Sequence, residues 1–154
     1  MRSIKKKIIL VLVFLFVYSC NYQPLFKNDS LSSSIKTVDI SGNKRIAQKL
    51  SNMISKSKEG GLSLFIDAKK DTKISNKSIS GKILEYKISV SFDIKAKRIL
   101  DGKEVFKKNF TKEESFKASS LYSNTINVEK KIIENICKTV SIQIFNEINL
   151  SVNN

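Results

Sequence analysis

The chain carries two thiols, Cys20 and Cys137, and no imidazole. Without histidine, Ser-His-Asp and Cys-His catalysis are excluded, and so are histidine-based metal sites. No glycine-rich phosphate loop occurs, and no cysteine pair has ligand spacing. One adjacent carboxylate pair remains, Glu113-Glu114. Neighbours on a strand point to opposite faces, so these two do not share a site. The residue types therefore argue against an enzyme, and neither a metal nor a cofactor is expected. Chemistry is left in two places, the Cys20 thiol and the Cys137 thiol.

Cys20 follows a patterned leader. Arg2, Lys5, Lys6 and Lys7 give a positive start, and Ile8 to Val17 is an unbroken apolar run of ten residues. That is the order of a secretory signal. It falls short of the roughly 20 apolar residues that a membrane-spanning helix needs. Val17-Tyr18-Ser19-Cys20 resembles a bacterial lipobox, with Ser19 as the small residue before the cut and Tyr18 bulkier than usual. The resemblance implies cleavage between Ser19 and Cys20, lipid on the Cys20 thiol and acylation of the new amine. One acyl chain binds a membrane only marginally, at about 0.8 kcal/mol per methylene, and stable anchoring takes two or more chains.

With residues 1–19 gone, 135 residues remain, enough for one domain. The leader holds four of the 28 basic residues and no acid, so the mature chain keeps a net charge of +10. Such a charge suits anionic lipid or an acidic partner. Export argues against nucleic acid. The charge also has a compositional reading: three of the basic residues are Arg, and the wealth of Lys, Ile, Asn and Ser is that of an A- and T-rich genome. With Cys20 acylated, Cys137 has no partner for a disulfide. It stands in an apolar helical pattern, where a lone cysteine is a small core residue.

The elements that position these residues follow from periodicity. Residues 20–34 have the composition of a flexible tether. Fully extended, it reaches about 50 Å at roughly 3.3–3.6 Å per residue. Ile35 to Ile40 is a short strand of imperfect alternation, broken by Ser41-Gly42-Asn43, with Asn43 as helix N-cap. Ile46, Ala47, Leu50, Met53, Ile54 and Ser57 then predict an amphipathic helix of about four turns, stopped by Gly60-Gly61. Leu62, Leu64, Ile66 and Ala68 mark a strand, and a polar stretch follows it. Tyr86, Ile88, Val90, Phe92, Ile94 and Ala96 alternate with polar residues in the clearest strand. Asp101-Gly102 signals a hairpin. A strict two-residue turn would put Phe106 and Phe110 on the polar face, so a bulge or a three-residue loop is expected, with Ile94 pairing Phe110. Ser119 to Asn124 is a loop, and the spacing of Ile126, Ile133, Ile136, Cys137, Val140, Ile144 and Ile148 predicts a helix over 125–149. The expected fold is α+β: two helices packed on one face of a four-stranded, mostly antiparallel sheet, in the order β-α-β-β-β-α, with 35–150 as a single domain. The other face of the sheet should be polar and Lys-rich.

Cys20-Asn21-Tyr22-Gln23-Pro24-Leu25-Phe26 resembles the mature start of the lipopolysaccharide-assembly lipoproteins, the LptE family, in alphaproteobacterial form. There the lipid cysteine is followed by Gly, an aromatic, a polar residue, Pro-Leu and an aromatic. Tyr22, Pro24, Leu25 and Phe26 match, while Asn21 replaces the Gly. The element order is also similar, with an acidic-Gly hairpin and the loop Ser119-Ser120-Leu121-Tyr122. The terminal helix departs from the family's Ala- and Arg-rich composition. The resemblance implies a non-enzymatic partner of the outer-membrane β-barrel LptD that plugs the barrel, aids its assembly and helps insert lipopolysaccharide. Asn21, where Asp would favour inner-membrane retention, is consistent with delivery to the outer membrane. Lys95, Lys97 and Arg98, near the hairpin, are the candidates for lipopolysaccharide phosphates and acidic sugars. A solvated strand end that resists aggregation accounts for the same charges. The alternative function is a generic periplasmic lipoprotein, a lipid carrier or an accessory subunit of another envelope complex. A carrier would need an apolar cavity between helices and sheet; a plug would have a filled core and a polar exterior.

Overall fold

The computed structural model describes residues 35–152. The leader, the Ser19–Cys20 junction and the tether at 20–34 lie outside the described residues. The chain folds as β1 (Ile35–Gly42), α1 (Lys44–Met53), β2 (Leu62–Lys77), β3 (Ile83–Arg98), β4 (Glu104–Lys117) and α2 (Tyr122–Val152). The four strands form one sheet in the order β1-β2-β3-β4. β1 runs parallel to β2, and the other neighbours are antiparallel. The α+β architecture and its β-α-β-β-β-α order are those the periodicity predicts.

The uneven alternation of β1 has a local cause. A register shift between Ile35 and Thr37 brings Ile35, Val38 and Ile40 opposite Leu62, Leu64 and Ile66. One irregular residue thereby returns all three apolar side chains to the buried face. The strand runs on through Ser41 to Gly42, past the expected break. Gly42 has φ +68°, and a Cβ there would lie 2.3 Å from the Ala68 carbonyl oxygen. Only glycine fits that corner. Asn43 then caps α1, its Oδ1 accepting from the Ile46 N–H at 3.3 Å. α1 is 10 residues long, about a turn shorter than expected, because Ile54 adopts an extended conformation. Ile46, Ala47, Leu50 and Ser51 are its buried residues.

β2 continues to Lys77, where the sequence predicts only a polar stretch. Its second half alternates poorly because it extends past β1, whose pairing ends at Ala68. β3 and β4 meet through the expected bulge, located between Ala96 and Lys97. Phe106 and Phe110 reach the core face, opposite Ala96 and Phe92. The expected Ile94–Phe110 pair is replaced by Ile94–Lys108, since the shift runs the other way. α2 starts at Tyr122 and ends at Val152, longer at both ends than 125–149.

Between helices and sheet lies one apolar cluster. Leu50, Leu64, Ile88, Val90, Phe92, Ile94, Val140 and Ile148 are fully buried in it. Burying each such side chain is worth about 1.5–3 kcal/mol. Two ion pairs lash α2 over the sheet, Lys70–Glu129 toward its start and Lys108–Glu147 toward its end. Cys137 is buried here, and burial pushes its thiol up to about 11. It is a core residue, as expected. Among the described residues no helix is long and apolar enough to cross a membrane.

Candidate functional site

Because both helices cover one face, the other face of the sheet is open. Its cross-strand rows are set by register. Asp39, Phe65, Lys95 and Lys107 lie in line across β1, β2, β3 and β4. In the next row stand Ser41, Asp67, Asp93 and Asn109. On the hairpin side, Thr37, Ser63 and Lys97 follow in line.

The second row is tied by side-chain hydrogen bonds. The Ser41 hydroxyl donates to Asp67 at 2.7 Å, and the Asn109 amide donates to Asp93 at 2.7 Å. Lys69 lies near both carboxylates. The Asn109 hydrogen bond holds the Asp93 carboxyl below its usual range, against slight burial and with help from Lys69. This belt is cross-linked by its own side chains, with one ammonium shared between two carboxylates.

The first row is different. Lys95 and Lys107 face each other, and no ion pair among the described residues involves either one. Beside them is Phe65, a residue 38% exposed, with Lys97 Nζ 5.5 Å from its ring centroid. These residues line a groove of about 760 Å³ whose floor includes Asp67, Asp93 and Asn109. It offers three ammonium groups around one apolar ring. Such a surface can hold an anion that carries an apolar body, using the lysines as point charges.

The expected residues divide. Lys95 and Lys97 come together in the groove. Arg98 does not; its guanidinium is 3.0 Å from Asp101 within the hairpin turn. Asp101 also accepts the Lys103 N–H, which is the main reason its carboxyl titrates low. Phe65 and Lys107 are additions. Phe65 sits at a polar-face position in the β2 alternation, a signal visible in sequence, whereas the place of Lys107 depends on the bulge. Glu113 and Glu114 separate as expected: Glu113 pairs with Lys87, which lowers its carboxyl, while Glu114 stands opposite Ile88. Among the described residues, no group of three acidic or thiol side chains converges as metal ligands.

The domain is a two-layer α+β fold, its apolar side closed by the helices and its other sheet face open and charged. Neither a family model nor a curated protein matches the chain. Solved structures do. A candidate lipoprotein of Caulobacter crescentus superposes with a TM-score of 0.59 at 13% identity, covering 82% of this chain and 95% of that one. The minor lipoprotein of Acinetobacter baumannii gives 0.52 at 12% identity, covering 79% and 92%. An NMR structure of lipoprotein B from Nitrosomonas europaea gives 0.51 at 15% identity, covering 74% and 83%. At these identities the likeness is one of fold.

Proposed function

We propose that this chain is an envelope lipoprotein, lipidated on Cys20, that acts without catalysis as the plug and partner of the LptD barrel in lipopolysaccharide assembly at the outer membrane. The observation that carries the reading is the asymmetry of the sheet: one face closed by α1 and α2, the other polar across four strands. The lumen of an outer-membrane barrel is polar, and a face of this kind can line it without burying unpaired apolar surface. The start Cys20-Asn21-Tyr22-Gln23-Pro24-Leu25-Phe26 supports the same assignment, as does a fold like that of proteins described as lipoproteins.

The groove extends the reading to lipopolysaccharide itself. Lys95, Lys97 and Lys107 would meet its phosphates or acidic sugars, and Phe65 an apolar part. Arg98 drops out because Asp101 occupies it. A lipid carrier fits less well. The layer between helices and sheet, where a carried chain would lie, is occupied by buried side chains such as Leu50, Phe92 and Ile144.

The test is an affinity pull-down of the tagged lipoprotein from detergent-solubilised outer membranes, with mass spectrometry of what accompanies it. A large outer-membrane β-barrel in near-equal amount is the expected result. Recovery of the lipoprotein alone, or with an inner-membrane complex, would overturn the barrel assignment and leave the accessory-subunit reading.

A further inference from the structure

The β3–β4 hairpin exposes apolar side chains at its tip. Leu100 is 92% exposed and Ile99 47%. The position of this tip is fixed relative to the point where the chain enters the fold. The Ile99 N–H donates to the Gly61 carbonyl at 2.8 Å. Next to it, Gly60 packs so closely on Ile35 and Lys36 that a Cβ would lie 2.6 Å from the Ile35 carbonyl carbon. The Ile35 oxygen in turn accepts from the Ser57 N–H at 2.9 Å. The hairpin, the α1–β2 loop and the start of β1 thus form one corner, and the segment from Cys20 joins the fold there.

That corner is basic. Lys36, Lys56, Lys58, Lys97, Arg98 and Lys103 are all exposed in it, against Glu59, Asp101 and Glu104. Asp101 is already engaged by Arg98. Three backbone N–H groups of the turn are paired within it. Gly102 N–H donates to the Arg98 carbonyl, Arg98 N–H to the Lys103 carbonyl, and Lys103 N–H to the Asp101 carboxylate, at 2.9, 2.9 and 3.1 Å. These bonds lower the number of free N–H groups the turn would carry into an interfacial region, where water and headgroups can pair the rest. Exposed apolar side chains flanked by Lys and Arg are the chemistry of attachment to anionic membrane surfaces.

We infer that the hairpin tip at Ile99-Leu100, with the lysines around it, is a second membrane contact that inserts into an anionic phospholipid leaflet beside the lipid anchor. The inference rests on the lipoprotein reading for where the membrane lies, and it does not depend on the barrel partner. Fifteen residues from Cys20 to Ser34 can span at most about 50 Å, so the hairpin is within reach of the leaflet that would hold the anchor.

The experiment uses the chain from residue 20 onward with Cys20→Ala, so that neither leader nor acyl chain contributes. It is sedimented with vesicles of 30% phosphatidylglycerol in phosphatidylcholine and with pure phosphatidylcholine vesicles. Binding to the anionic vesicles is expected, reduced at least tenfold by Leu100→Asp and by pure phosphatidylcholine. The substitution is at an exposed tip, and circular dichroism verifies that the variant is folded. In a second measurement, an environment-sensitive fluorophore on Leu100→Cys should shift to the blue with anionic vesicles. The same fluorophore on Ile79→Cys, an exposed apolar site on the β2–β3 loop at the other end of the sheet, should not. Absence of vesicle binding, binding indifferent to Leu100→Asp, or an equal shift at position 79 would overturn the inference. Lipidation is judged separately, by the mass of the chain extracted from cells, so its failure is not confused with that of the hairpin.

Discussion

Asp67 and Asp93 stand directly opposite each other on β2 and β3, and Lys69 Nζ lies 3.6 Å from the first carboxylate and 3.5 Å from the second. Like charges opposed across a strand pair are destabilising, by roughly 0.2–1 kcal/mol. Lys69 offsets that repulsion, though its side chain is 68% exposed and the screening is strong. Lys69→Met should cost about 0.5 kcal/mol at pH 7. The sign with pH follows from Asp93, whose carboxyl is lowered first by the Asn109 hydrogen bond and also by Lys69. Its contribution is present above the ordinary carboxylate range and is lost as pH falls through the depressed folded value. The gap between parent and variant should therefore close below about pH 4. Urea titrations at pH 7 and pH 3 measure it. An equal gap at both would assign the effect to the packing of the Lys69 stem.

Lys95 and Lys107 oppose each other on the same face with no carboxylate partner among the described residues. Like charges so placed cost roughly 0.2–1 kcal/mol, and the binding role proposed for this face would account for their being kept. Lys107→Glu replaces repulsion by a cross-strand ion pair. Stability should rise by about 0.5 kcal/mol. Retention of purified lipopolysaccharide should fall severalfold. If both rise, or if retention does not move, the lysines serve only to keep the face solvated.

How much of this was legible in the sequence depends on what covers each residue. β3 alternates from Tyr86 to Ala96 because a packed core lies on one side and solvent on the other, and that pattern needs no structure to find. The second half of β2 escaped because Asp71 to Lys77 is polar on both faces, beyond the end of β1. The hairpin shows a sharper limit. A period of two fixes which face Phe106 and Phe110 occupy, but not whether Ile94 meets Lys108 or Phe110. That difference decides the site. Lys95 was visible as a cation on the polar face, whereas Lys107 becomes its neighbour only once the bulge between Ala96 and Lys97 is placed. In β1, a single irregularity next to Ile35 made a buried strand look poorly patterned.

Gly42 and Gly61 bracket the α1 crossover and should respond oppositely to a methyl group. At Gly42 the backbone has φ +68° and the added Cβ meets the Ala68 carbonyl oxygen at 2.3 Å. Neither strand can move without breaking the bond from the Asn43 N–H to that oxygen, 2.7 Å long. Gly42→Ala should destabilise by about 2–4 kcal/mol, from the left-handed conformation and the overpacking together. Gly61 has nothing within 4 Å of its Cβ position and no positive φ. Gly61→Ala should lie between neutral and about 1 kcal/mol stabilising, through the unfolded chain. Chemical denaturation of the two variants side by side checks both. A neutral Gly42→Ala would mean that the β1–α1 corner can relax in a way the close approach forbids.

Cys137 offers a thiol count that bears on the anchor as well as on the core. Burial holds its thiol near 11, so at pH 8 only about one molecule in a thousand carries the thiolate that reacts, against roughly a quarter for an ordinary thiol of pKa about 8.5. Modification of the folded protein by a disulfide reagent at pH 8 should therefore be at least a hundredfold slower than in guanidinium. In protein extracted from membranes, the number of thiols released on unfolding should be one, because Cys20 would be blocked by its thioether. Two would show that Cys20 is free and remove the anchor on which the lipoprotein reading depends. Cys137→Ser should destabilise by about 1–3 kcal/mol, as it places a hydroxyl in an apolar layer between α2 and α1. Were Cys137 instead to react quickly in the folded state, α2 would be opening from the sheet far more often than so closely packed a core permits.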